Sequence, residues 1–275
     1  VLHELGGGVC FLLNSVSFLA VIGSLLRMKL PPFVRSSTKK NAFVELREGW
    51  TYLMRTPSIS RPILMLAAMS LFVIPYATLL PIYAREIFHG TALTFGWIDS
   101  FVGVGAIGGA LFMASRKSGS DSGRRKILRT NTIIFGLGLI GFSYMTNFWI
   151  AMIFAVISGF GMLAQTTVTN TIIQTRVAPG MRGRVISYFA MSYFGMMPLG
   201  SLLVGGVSHY IGAPNTILAE GVVALIVVWV FWSSYLKPRT VVKATREMVS
   251  EATAAPAQPA PAPQVQAEKK VGQPI

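Results

Sequence analysis

Residues 63–84 read ILMLAAMSLFVIPYATLLPIYA, a stretch without a single charged side chain. A helix that crosses a membrane needs roughly 20 consecutive, mostly apolar residues, and this stretch is long enough. Further stretches that reach or approach this length lie at residues 9–26, 95–114, 128–146, 148–171, 185–208 and 214–236. The sequence therefore predicts an all-α polytopic membrane protein with about seven transmembrane helices.

The composition supports a membrane protein. Hydrophobic residues make up 52% of the chain and charged residues only 12%, and the mean hydropathy is +0.58. A soluble domain has about 25% charged residues. The net charge of +14 is the one feature that would suit a nucleic-acid-binding protein. However, the basic residues lie at the ends of apolar stretches and lack interleaved aromatic residues that could stack on bases, so we exclude nucleic acid as a partner.

Basic side chains occur at every second connection between the apolar stretches. The connection 27–61 carries eight Lys and Arg residues against two Glu, and the connections after the third and fifth stretches and the C-terminal tail are also basic. Such alternation follows the positive-inside rule. We therefore expect a multi-pass membrane protein with a cytoplasmic C-terminus. Seven spans then place the N-terminus outside, and since residues 1–8 resemble neither a signal peptide nor a start, we expect a fragment whose earlier helices are missing.

Within the long basic connection, one segment has the pattern of an amphipathic helix. Phe43, Leu46, Trp50, Leu53 and Met54 recur at three- and four-residue intervals. This spacing predicts a helix at the membrane surface, with Trp50 at the level of the lipid headgroups.

Two acidic residues lie inside predicted spans, Asp99 in the third and Glu220 in the last. An acid at the bilayer centre costs roughly 2.5–3.5 kcal/mol on insertion scales, so such residues are candidates for function. Either one could bind a coupling proton or a cationic substrate. Alternatively, both lie near the outer interface and stay hydrated.

The fifth span carries a polar stripe. Thr166, Asn170 and Gln174 are spaced by four residues, with Gln165 beside them. The stripe either faces a water-filled cavity or hydrogen-bonds to a neighbouring helix. In the second span, Tyr76 lies between two prolines, which interrupt the helix and free backbone carbonyls.

No pattern in the sequence points to an enzyme, a cofactor or a metal. The three histidines share no ligand spacing, and no nucleophile–base arrangement is present. Gly103, Gly105 and Gly108 match the spacing of a dinucleotide-binding loop, but they lie inside a predicted span rather than after a strand. We interpret Gly105 and Gly109 instead as a small-xxx-small pair that lets two helices pack closely.

Several motifs resemble one branch of the major facilitator superfamily, that of enterobactin exporters and macrolide-efflux-type permeases (transmembrane secretion effectors). The most specific are Gln174-Thr-Arg-Val177 and Arg182-Gly-Arg-Val185. The others are Phe11-Leu-Leu-Asn-Ser-Val-Ser-Phe18, Leu46-Arg-Glu-Gly-Trp-Thr-Tyr52, Leu80-Pro-Ile-Tyr-Ala84, Gly103-Val-Gly-Ala-Ile-Gly108 and Pro198-Leu-Gly200 with Gly205. The likeness covers about residues 5–236.

The resemblance implies a transporter of the bacterial inner membrane, built from two six-helix bundles that give alternating access to a central cavity. Residues 1–26 would be the last helix of an N-terminal bundle whose other helices are missing, and residues 27–62 the cytoplasmic interdomain loop. Residues 63–236 would be the C-terminal six-helix bundle, followed by a disordered Ala/Pro-rich cytoplasmic tail at 237–275.

The resemblance also implies roles for individual residues. The first and fourth helices of each bundle line the cavity in this family, which makes Tyr76, Gln165, Thr166, Asn170 and Gln174 the substrate-cavity candidates. The cytoplasmic gating and anchoring candidates are Asp121, Arg124, Arg125, Arg182 and Arg184. The first three belong to a degenerate copy of the superfamily's gating motif, which lacks the arginine that normally follows the aspartate.

We predict proton-coupled efflux of a small amphipathic organic molecule, siderophore-like or drug-like, by alternating access. Asp99 and Glu220 are the proton-coupling candidates, and the partners are the lipid bilayer, the substrate, protons and the missing N-terminal bundle. Two alternatives stay open. The chain could be a truncated or degenerate permease that acts as a non-transporting membrane scaffold or partner, or it could be an uptake permease.

Overall fold

The computed structural model describes residues 2–28, 42–116 and 120–236, and all regular structure in these ranges is helical. The predicted tail at 237–275 lies outside the described residues. The helices are α1 (Leu2–Arg27), α2 (Ala42–Arg55), α3 (Pro57–Phe72), α4 (Leu80–Ile82), α5 (Ala92–Ser115), α6 (Asp121–Ser143), α7 (Phe148–Arg176), α8 (Arg182–Ala190), α9 (Met196–Ile211) and α10 (Ala213–Leu236). The chain divides into a compact unit, Val1–Ser233, and a unit Ser234–Ile275 of which only the end of α10 is described.

Five helical stretches among the described residues are long and apolar enough to cross a membrane. They are Pro57–Ile87, Ala92–Ser115, Phe148–Arg176, Pro179–Ile211 and Ala213–Trp232. These stretches coincide with five of the seven predicted spans and confirm the prediction of an all-α, multi-pass membrane protein.

The other two predicted spans, 9–26 and 128–146, overlap α1 and α6. Among the described side chains of α1, the apolar stretch is Phe11–Arg27, which is shorter than the other five. In α6 the first turns are basic, so that fewer apolar residues remain to span the membrane. The total of seven spans, and the domain boundaries that depend on it, stay predictions.

The first long spanning stretch, Pro57–Ile87, is not one regular helix. After α3 it tightens into a 3₁₀ segment at Ile74–Leu79 and, beyond the short α4, widens into a π-helical turn at Tyr83–Ile87. Pro75 and Pro81 each stand at the beginning of one of these short segments. Because proline lacks a backbone N–H, the regular hydrogen-bond ladder is broken at both places. The interruption predicted from the two prolines is therefore present.

Helix α7 packs closely on α5 and on α6, and glycines form both contacts. A side chain at Gly105 of α5 would collide with the carbonyl oxygen of Val156, and one at Gly159 of α7 would collide with that of Val102. On the other side, a Cβ at Gly161 would lie 2.6 Å from the backbone nitrogen of Phe135 in α6. Gly105 therefore serves helix packing, as the small-xxx-small interpretation predicts.

Exposure differs strongly among the spanning stretches. In Pro57–Ile87, 61% of the most apolar 18-residue segment is buried, whereas the buried fraction of the corresponding segment is 17% in Ala92–Ser115 and 11% in Pro179–Ile211. The exposed positions of Ala92–Ser115 and Pro179–Ile211 are largely apolar, with examples at Val104, Ile107 and Leu202. Lipid tails are as apolar as leucine, so such surfaces suit a bilayer. Pro57–Ile87 is thus the most buried of the five stretches.

Candidate functional site

Tyr76 is enclosed inside the bundle. It is buried, and its ring packs edge-on against Phe135 of α6 with a centroid distance of 5.7 Å. It belongs to an apolar core cluster with residues of α5, α6, α7, α9 and α10, among them Ile98, Phe135 and Ala155. A tyrosine predicted to face the cavity is therefore the meeting point of the spanning segments around it.

Glu220 is buried within the bundle. Only 3% of the residue is exposed, and no described residue forms a hydrogen bond to either carboxylate oxygen. The next residue, Gly221, lies in close contact with α6, since a Cβ there would be 2.8 Å from the carbonyl oxygen of Gly136. Burying an ionised carboxylate without partners is costly, and binding of a proton removes that cost. Of the two alternatives for this residue, hydration at the outer interface does not fit its burial.

Asp99 differs from Glu220 in its surroundings. It lies on α5 with an exposed side chain. Its exposure fits a hydrated carboxylate. The sequence made both acids proton-coupling candidates, but their environments differ, since Asp99 is exposed and Glu220 is buried.

The polar stripe of α7 divides between the two arrangements that the sequence left open. Gln165 is buried, and its Oε1 accepts a hydrogen bond of 2.9 Å from the hydroxyl of Thr132 in α6. Further along, Gln174 is exposed and donates from Nε2 to Oδ1 of Asn170 at 2.9 Å, while Asn170 and Thr166 are half-buried. Gln165 thus joins two helices, and the other three side chains remain at least partly accessible.

A second group of residues lies where α7 ends and α8 begins, which we call the basic end of the bundle. Here Arg184 of α8 pairs with two glutamates of α2. Its Nη1 lies 2.6 Å from Oε2 of Glu48, and its Nη2 lies 3.1 Å from Oε1 of Glu45. The sequence identified Arg184 but not its partners. A sequence pattern could have indicated these partners. The two glutamates are the only acids in a connection with eight basic residues, and their spacing of three places them on one side of a helix.

Packing around this ion pair fastens α2 to α8. A Cβ at Gly49 would lie 3.0 Å from the ring of Tyr188, and the Tyr188 hydroxyl donates to the carbonyl oxygen of Leu46 at 2.8 Å. The backbone N–H of Ala178 donates to the hydroxyl of Tyr52 at 3.3 Å. Leu53 is buried in an apolar cluster with residues of α3, α7 and α8. Leu53 therefore contacts protein, whereas the other four apolar residues of the predicted stripe are exposed.

The remaining arginines at the basic end are also engaged. Arg182 donates to the carbonyl oxygen of Gln174 at 3.0 Å and so satisfies a backbone group at the end of α7. Arg124 is half-buried near the start of α6 and lines a cleft of about 580 Å³ with residues of α5 and α7. Arg125 is half-buried as well, and both have interaction partners. Asp121 begins α6, and its side chain lies outside the described part of the structure.

Long apolar helices packed through glycine, with an acid enclosed among them and arginines gathered at one end, are typical of a polytopic membrane protein. The family model for transmembrane secretion effectors matches residues 1–268, and the chain belongs to that family of major facilitator transporters. The predicted family is thereby confirmed, and its members are transporters rather than enzymes.

Curated relatives agree with this assignment. The chain is 28% identical over 159 residues to a staphyloferrin A transporter of Staphylococcus aureus, covering 57% of this chain and 38% of the relative. It is 26% identical over 186 residues to a multidrug efflux pump of Mycolicibacterium fortuitum, covering 67% and 44%. A D-xylose transporter of Levilactobacillus brevis is 30% identical over 115 residues, covering 42% and 24%. The chain thus spans less than half the length of each of these relatives.

Proposed function

We propose that this chain forms the C-terminal half of an exporter that moves a small amphipathic organic molecule out of a bacterial cell in exchange for protons. Export is supported by the relatives named as a staphyloferrin A transporter and a multidrug efflux pump. In this proposal an N-terminal bundle completes the cavity, and the two bundles give alternating access from either side of the inner membrane.

The observation that carries the proposal of proton exchange is the enclosure of Glu220. A carboxyl group that is buried in a membrane bundle without hydrogen-bond partners is stable when it holds a proton, and it releases the proton only when water or a counter-charge reaches it. Alternating access supplies such a change of environment. We therefore assign proton exchange to Glu220 rather than to the exposed Asp99.

For the substrate, we propose contact with the accessible part of the α7 stripe, Thr166, Asn170 and Gln174. Their exposure and their polar groups suit an amphipathic molecule. Tyr76 and Gln165 are buried in the bundle and would support this surface from behind. Arg124, Arg125, Arg182 and Arg184 would anchor and gate the cytoplasmic side.

The test uses everted inner-membrane vesicles from cells that express the chain in its native gene context. With a fluorescent amphipathic dye such as ethidium as the probe, an exporter accumulates the dye inside these vesicles, whereas an uptake permease depletes it. We expect accumulation that a protonophore abolishes. The Glu220→Gln variant should lose accumulation driven by the pH gradient but keep exchange of dye for dye, because the carboxamide cannot carry a proton.

Asp99→Asn is the matched control, since it makes the same chemical change at an exposed acid. It should leave the pH dependence of transport unchanged. Protonophore-insensitive accumulation would exclude proton exchange altogether. Normal pH dependence in Glu220→Gln would exclude Glu220 as its site, and absence of dye movement with all variants present in the membrane would favour the non-transporting scaffold.

A further inference from the structure

Helix α2 has one face that is held by the rest of the protein. This docking face consists of Glu45, Glu48, Gly49, Tyr52 and Leu53. Both glutamates pair with one arginine of α8, and the glycine lets the two helices approach closely. Ion pairs, a hydrogen bond and apolar packing hold this face of α2. The exposed part of the helix is therefore presented in a fixed orientation.

The outward face of α2 is apolar and exposed, although the ring of Trp50 on this face also packs against that of Tyr188 at a centroid distance of 5.9 Å. Phe43 is 86% exposed, Leu46 50%, Trp50 49% and Met54 41%. Their spacing of three and four residues places these side chains in one stripe along the helix. Arg47 is exposed beside the stripe, and Arg55 is exposed further round the helix, in the last turn before the spanning stretch. An apolar stripe with a tryptophan and flanking arginines is the composition of a helix that lies in a membrane interface.

The position of α2 in the chain places the outward face close to the membrane. The helix ends at Arg55, and the spanning stretch begins at Pro57, so that only Thr56 separates them. At about 1.5 Å per residue, Trp50 lies roughly 10 Å along the chain from the start of that stretch. An exposed stripe so near the point of membrane entry is within reach of lipid headgroups.

We propose that the outward face of α2 binds the anionic phospholipid surface of the cytoplasmic leaflet. The apolar stripe enters the headgroup region, and Arg47 and Arg55 pair with lipid phosphates. The exposed charge of α2 favours anionic lipid, because the two glutamates of this helix are paired with Arg184 on the docking face. Through this contact the leaflet holds α2, and α2 in turn holds the basic end of the bundle. The binding is independent of the substrate and of proton exchange.

The experiment uses the full chain with Cys10 replaced by Ser, reconstituted into nanodiscs of zwitterionic lipid with increasing phosphatidylglycerol. An environment-sensitive fluorophore is attached at Met54→Cys and, in separate samples, at Phe43→Cys. The matched control is Gly180→Cys, an exposed site in the connection after α7 where a Cβ meets no atom within 4 Å.

Nitroxide-labelled lipid should quench the fluorophore at positions 43 and 54 but not at 180, and quenching at 54 should increase with phosphatidylglycerol. Arg47→Gln and Arg55→Gln should each raise the anionic lipid needed for half of this increase, by up to about fivefold per arginine. Quenching by aqueous iodide at 54 as strong as at 180 would overturn the proposal. So would protection from both quenchers, which would indicate a protein partner, or lipid quenching that ignores phosphatidylglycerol.

Discussion

The hydrogen bond between Thr132 and Gln165 shows how a single polar pair behaves inside this bundle. Both side chains are buried, and Gln165 still has a buried Nε2 without a hydrogen-bond partner among the described residues. The hydroxyl of Thr132 also lies 2.9 Å from the carbonyl oxygen of Leu128, so its one proton is shared between that carbonyl and Oε1 of Gln165. An unsatisfied polar group inside a membrane protein is costly, so the bond that remains is important for the contact between α6 and α7.

Thr132→Val should destabilise the chain by about 0.6 and at most about 1.7 kcal/mol, the range measured for hydrogen bonds between membrane helices. Valine keeps the shape of threonine but cannot donate, which leaves Gln165 wholly unpaired. The measurement is the free energy of unfolding in mixed detergent micelles. Thr132→Ser retains the hydroxyl and serves as the control. Equal stability of the valine variant and the natural chain would contradict this role.

Individual residues also show what a sequence pattern leaves undecided. Asp99 and Glu220 are both acids in apolar stretches, and no property of either stretch separates them. Only the neighbouring helices decide that Glu220 is enclosed and that Asp99 is open. Likewise, spacing shows that the polar residues of α7 share a face, but not which of them meets α6.

At the scale of elements, the contact between α5 and α7 depends on glycine. The backbone carbonyl of Val156 occupies the space where a side chain at Gly105 would lie, and the carbonyl of Val102 does the same opposite Gly159. Backbone atoms cannot rotate away as a flexible side chain can. Any side chain at these positions therefore pushes the two helices apart.

Gly105→Ala should destabilise the bundle by about 1–3 kcal/mol, the usual cost of overpacking. Gly103→Ala is the matched control two residues earlier, where a Cβ meets no atom within 4 Å. There alanine should be neutral or stabilising by up to about 1 kcal/mol because of its higher helix propensity. Thermal unfolding of both variants in detergent checks the prediction, and equal midpoints would show that the close contact has no energetic weight.

At the scale of the whole molecule, the basic end predicts the orientation in the membrane. The arginines of α6, α7 and α8 gather there, and in the bacterial inner membrane such an end faces the cytoplasm. Gly180 lies at this end, and Tyr210, which is 86% exposed, lies near the far end of α9. We therefore expect the two positions to lie on opposite sides of the membrane.

With Cys10 replaced by Ser, Gly180→Cys should react with a membrane-impermeant maleimide in everted vesicles but not in intact spheroplasts. Tyr210→Cys should show the reverse. The reason is that charged connections stay on the side where the chain is inserted. Labelling of Gly180→Cys from outside would reverse the orientation, and with it the assignment of the cytoplasmic leaflet to α2.

The sequence by itself determined the class of fold, most of the spanning stretches and the family. Apolar length and the alternation of charge are local properties of the chain, and a bilayer imposes them on every spanning helix. The amphipathic helix before residue 57 could also be predicted from the sequence, because its apolar residues repeat at helical spacing within a few turns.

Only the tertiary structure decided which polar residues are enclosed and which charges meet. Glu220 is buried because α10 packs on α6, and Arg184 finds Glu45 and Glu48 because α2 docks on α8, about 136 residues later in the chain. Such contacts join positions that are far apart in sequence, and no local pattern records them. They depend on how helices approach one another, which is set by the fit of whole surfaces rather than by the composition of any one stretch.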